Sequence, residues 1–143
     1  MTAQEITDQL HGIAGHPDFA EESEGLVDKW IANGVGIEAV EPILRFMEDN
    51  QQIAYGMPGV LVHFVERFYR NGYEQALVGS VRRKPTPHTV WMLNRIINGT
   101  KAPEARENYI LELEQAKAHH PLDEATLERI NHFLDRLASE SST

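Results

Sequence analysis

The residues best spaced for chemistry in this chain are His63, Glu66, Arg67 and Arg70. On a helix, His63 and Glu66 stand three positions apart on one face, where an imidazole and a carboxylate can pass a proton between them. No nucleophile accompanies them. Ser80 sits in Val-Gly-Ser-Val-Arg and lacks the strand and the G-x-S-x-G elbow that expose a reactive serine. The set therefore reads as the polar edge of an otherwise apolar helix.

Three further groups carry potential chemistry. His119 and His120 are adjacent, so on a helix they point roughly 100° apart and do not converge on one ion. No His-Glu-x-x-His or Glu-x-x-His spacing supports them. Residues 34–39 fit G-x-G-x-x-A, but a dinucleotide fingerprint follows a strand, and the residues before Gly34 read as helix. Arg82, Arg83 and Lys84 precede Thr86-Pro87-His88-Thr89 in a helix–turn–helix pattern, which would bring Thr86, His88, Thr89 and Trp91 to a DNA groove. The competing reading is a cation cluster that answers a helix C-terminal dipole and nearby acids. These groups define no metal or cofactor site and no active site, so neither a cofactor nor catalysis is expected.

The elements around these residues are helical. Apolar residues recur at three- and four-residue intervals almost throughout, and strand alternation is missing. The spacing predicts helices over residues 2–14, 22–33, 37–50, 58–70, 73–83, 87–99 and 103–119, with a last helix capped by Asp123. Ile31 and Ile37 fall on the inward faces of the second and third. Pro42 implies a kink in the third helix or a late start near Glu41. Thr86-Pro87 is a strong restart, with threonine as N-cap and proline in the first turn. Eight helices in four antiparallel pairs, all-α, make a single domain over residues 1–143, either a short HEAT-like solenoid or a compact bundle.

Composition bounds the rest. The chain has 143 residues, 41% hydrophobic and 24% charged, which suits a globular domain rather than a disordered one. It has no cysteine, which fits a reducing cytoplasm. No signal-like N-terminus and no apolar run of membrane-spanning length is evident, so a cytoplasmic protein without membrane contact is expected. The net charge of −9 is unevenly spread: −9 over residues 1–53, +5 over 54–101 and −5 over 102–143. Such segregation steers partners, and a net-negative protein is poorly matched to nucleic-acid phosphates. The acids of the second and third helices, Glu21, Glu22, Glu24, Asp28, Glu38, Glu41, Glu48 and Asp49, with Tyr55 in the loop beside them, form the expected contact surface for a basic partner. Among the amphipathic aromatics Trp30, Tyr55, Tyr69, Trp91 and Tyr109, any left exposed would serve as interface anchors.

The stretch from Pro58 to Asn98, with VHFVERFY and GYEQALVGSVRRKPTPHTVWMLNRIIN, resembles all-helical, HEAT-like bacterial immunity proteins of polymorphic, contact-dependent and type VI toxin systems. The resemblance covers about a third of the chain and lies in helix pattern and texture. It implies a small cytoplasmic protein of bacterial competition, monomer or homodimer, that neutralises a cognate protein toxin by binding it, and it supplies no site residues. A toxin with a basic, nuclease-type cleft would suit the acidic surface. A helical adaptor or chaperone for another protein and a helix–turn–helix DNA-binding regulator are the alternatives.

Overall fold

A computed structural model describes residues 1–119 and 121–141. Among these residues the protein is all-helical, with no strand and eight α-helices. They are α1 (Ala3–Ile13), α2 (Phe19–Ala32), α3 (Val40–Asp49), α4 (Gly59–Glu66), α5 (Tyr73–Arg83), α6 (Pro87–Gly99), α7 (Pro103–His119) and α8 (Glu124–Ser141). None is long and apolar enough to cross a membrane. The chain divides into two compact units, Met1–Ala76 and Leu77–Thr143.

In the first unit α1 packs on α3 and α2 on α4, while α1 also touches α2. Thr2 starts α1 with a complete capping box: its hydroxyl accepts the Glu5 N–H at 3.1 Å, and Glu5 reaches back to the Thr2 N–H. Ile6 and Leu10, one turn apart, are fully buried. Trp30 is buried too, and its indole N–H donates to Gln9 Oε1 at 2.7 Å, so α1 satisfies a polar atom that α2 brings inward.

α2 begins three residues earlier than periodicity implies, because Phe19 stacks on Phe46 of α3 with ring centres 6.1 Å apart. The Pro42 expectation resolves as a late start. A 3-10 turn over Ile37–Ala39 leads into α3, which begins at Val40. Pro42 then lies in the first turn, where a missing N–H costs no ladder bond. Pro58 stands at the N-cap of α4 rather than inside the helix, after a cis Met57–Pro58 bond. α4 also ends sooner than expected. Its bonds tighten to three-residue spacing, as in Phe68 N–H to Val65 O at 3.0 Å, and Arg70 adopts a left-handed φ of 67°.

In the second unit α6 packs against both α7 and α8, and α7 against α8. Thr86 is its N-cap as expected, accepting the Thr89 N–H at 3.1 Å with Pro87 next in line. Val90, Met92, Leu93, Ile96 and Ile97 of α6 are buried, as are Leu113 of α7 and Ile130, Phe133 and Leu137 of α8. Each such side chain contributes about 1.5–3 kcal/mol, so packing of α6 outweighs its cap. Asp123 caps α8 as anticipated, accepting the Thr126 N–H at 2.8 Å.

Candidate partner-binding face

The structure places most of the expected acidic set on the surface of the first unit. α2 buries Ser23, Val27 and Trp30, which fixes its opposite face outward. Glu21, Glu24 and Asp28 follow one another at helical spacing on that outer face, and Glu22 beside them is exposed as well. Crowding is evident at the start of the helix. A hydrogen bond with the Asp18 side chain, then its like charge, raises the Glu21 carboxyl above the ordinary range. Glu22 lies 3.5 Å from His16.

Around the start of α3 the acids are more closely held. Glu38 is exposed, and its Oε1 accepts the Gly36 N–H at 2.9 Å. That bond, followed by its own backbone N–H, lowers the Glu38 carboxyl below its ordinary value, so it stays charged. Glu41 is exposed and meets Arg45 one turn on, at 3.1 Å. Asp49 is exposed at the end of α3.

Two expected contact residues are elsewhere. Glu48 is 4% exposed and Tyr55 is 7% exposed, so neither belongs to the outer face. For Tyr55 the reason is an aromatic cluster that folds the loop onto the helices. Tyr55 sets its ring edge-on to both Phe19 (5.8 Å) and Phe46 (6.3 Å), and its hydroxyl donates to Asn50 O at 2.8 Å. Burial, with Asp49 nearby, pushes the Tyr55 phenol above its ordinary value. Tyr55 therefore fastens the loop between α3 and α4.

Two surface residues run against the periodicity. Ile31 is 48% exposed and Ile37 is 47% exposed, although the helical pattern points both inward. Ile31 lies in the last turn of α2 and Ile37 in the 3-10 turn that leads into α3, where a 3.6-residue period no longer dictates direction. Tyr69, at 38%, is the exposed member of the five amphipathic aromatics, while Trp30 is fully buried.

His63 Nδ1 is 3.9 Å from Glu66 Oε1, too far for a hydrogen bond, and Glu66 accepts the Tyr69 hydroxyl at 3.1 Å. Ser80 is fully buried in α5. Gly34, with φ of 70°, ends the α2 turn, and a helix rather than a strand precedes it. No group of three or more potential metal ligands occurs among the described residues; His120, half of the histidine pair, lies outside them. A groove-reading role for Thr86 and Thr89 conflicts with their burial at 1% and 0%, because a recognition helix must offer its side chains to the groove. The basic edge is partly consumed within its own unit. Arg82 makes a two-pronged ion pair with Glu112 of α7, one arm of it at 3.0 Å, on the rim of a shallow pocket of about 260 Å³ lined also by Val81, Gln115, Ala116 and His119.

The unit boundary also partitions the charge. Residues 1–76 hold thirteen acidic and four basic side chains, whereas residues 77–143 hold nine of each. The whole net charge of −9 therefore belongs to the first unit. In comparisons with known proteins, the chain matches no family model, no curated protein and no solved structure.

Proposed function

We propose that this protein is an immunity protein: it binds a cognate bacterial toxin in the cytoplasm of the cell that makes it and blocks the toxin by occupying its surface. The observation that carries this reading is the charge partition, with a net −9 on one helical unit whose acids face outward from α2 and the start of α3. A surface of that kind suits a protein with a basic face, such as a nuclease-type toxin domain, and it accelerates association by long-range attraction. The texture of residues 58–98, which resembles the helical immunity proteins, points the same way. The burial of Thr86 and Thr89, two of the four residues that would read DNA, weighs against the regulator alternative.

Co-expression tests the proposal. The polypeptide encoded by the neighbouring gene, produced alone in a bacterial host, should stop growth. With this protein present, growth should recover and the two should co-purify as a folded complex. Persistent toxicity without a complex contradicts the reading, and a complex formed only with an unfolded partner converts it to a chaperone.

A further inference from the structure

The described residues expose six large apolar side chains, Met1, Ile31, Ile37, Met57, Tyr69 and Leu111. Three of them belong to neighbouring stretches of the first unit: Ile31 in the last turn of α2, Ile37 in the α2–α3 connection that follows it, and Tyr69 in the α4–α5 connection. These connections meet: a side chain at Gly72 would find Ile37 Cδ1 at 3.6 Å, an ordinary contact distance. Between the isoleucines the chain reverses tightly, with Val35 N–H on Trp30 O at 2.9 Å and Gly34 N–H on Ile31 O at 3.2 Å. Both isoleucines thus border one turn. Apolar side chains scattered singly over a surface need no explanation, but three gathered on adjoining turns do.

The group is also ordered in advance. Tyr69 holds its ring edge-on to Tyr73 at 5.4 Å and gives its hydroxyl to Glu66 at 3.1 Å. Rigid amphipathic aromatics lose little entropy on binding and are frequent interface anchors. Next to Ile37, Glu38 is fixed by the Gly36 N–H, which sets an ionised carboxylate at the edge of the apolar group.

We infer that Ile31, Ile37 and Tyr69 form the anchoring centre of the interface, and that their occupant is a folded protein offering an apolar socket edged by lysine or arginine. Charge complementarity selects that occupant: the anchored Glu38 lies at the rim, and the unit around it carries the molecule's entire excess of acid. A second copy of this chain would bring the same negative unit against itself. The inference rests on the immunity reading and adds a division of labour. The acidic face of α2 governs how fast the partner arrives, and the apolar turns govern how long it stays.

The test is surface plasmon resonance with the full chain and the polypeptide of the neighbouring gene. Alanine at Ile37 or Tyr69 should raise the dissociation rate about tenfold or more while association stays within about twofold. I37V, which keeps all but one methylene, should dissociate more slowly than I37A, and L111A in the second unit should match the wild type. Melting curves identify any variant that loses its fold. A dissociation rate unmoved by I31A, I37A and Y69A overturns the anchoring centre while leaving the immunity reading intact. Wild-type protein that does not bind overturns both. A homodimer that I37A dissociates in sedimentation velocity assigns the patch to self-association and overturns the proposed occupant.

Discussion

His88 shows how far one side chain's surroundings can move its chemistry. It follows Pro87 at the start of α6, half-buried, with its ring 5.3 Å from that of Trp91 and with Arg129 of α8 nearby. Burial first, then the positive charge of Arg129, lowers its pKa from 6.5 to about 4. The unfolded chain therefore takes up a proton as the pH falls below about 6.5, whereas the folded one does not until about 4. Stability should decline through that window and level off beneath it. The limit is about 3 kcal/mol, and residual solvation reduces it to about 1–2 kcal/mol. Urea melts of the wild type and of H88Q at pH 7 and pH 4.5 measure this, and the stability difference between the two pH values should be smaller in H88Q than in the wild type. Thr86 offers a second case. T86A removes the hydroxyl that holds the Thr89 N–H and leaves the buried Thr89 hydroxyl only its bonds to the Thr86 backbone, so a loss of about 1–2 kcal/mol is expected from chemical denaturation. Thr86 was legible in the sequence because threonine before proline is a local signal. Tyr55, Ile31 and Ile37 were not, because their exposure depends on an aromatic cluster and on helix ends rather than on period.

The helices themselves are largely readable, and the places where reading failed have physical causes. α5, α6 and α7 match their sequence limits because proline, threonine and glycine punctuate them. α2 and α4 do not, since packing of Phe19 on Phe46 extends the first and the left-handed Arg70 closes the turn after the second. α6 is the element on which the second unit depends, with Leu93 fully buried between flanking buried neighbours. L93A should therefore cost about 2–5 kcal/mol, read from denaturant midpoints. The Arg82–Glu112 pair joins α5 to α7 at an exposed position, where Arg82 is 65% open to solvent. R82A should lower the melting temperature only slightly, and the difference should fade at high salt.

At the scale of the whole molecule, what counts is where charge and apolar surface lie. The acidic stripe could be counted from composition, but its confinement to one unit needs the packing of the chain, because the sequence boundaries of charge and of structure differ. The first unit carries both the acids of α2 and the exposed turns with Ile31, Ile37 and Tyr69. The second unit is neutral overall, and its basic edge is partly paired within it. Steering by the first unit makes a quantitative demand on kinetics. Stopped-flow association of this protein with the polypeptide of the neighbouring gene, followed from about 10 to 500 mM salt, should slow steeply as screening grows. Reversal of Glu24 and Asp28 to lysine should cut the low-salt rate about tenfold and flatten the salt dependence. An association rate that neither salt nor this double reversal changes would contradict the acidic face as the route by which the partner arrives.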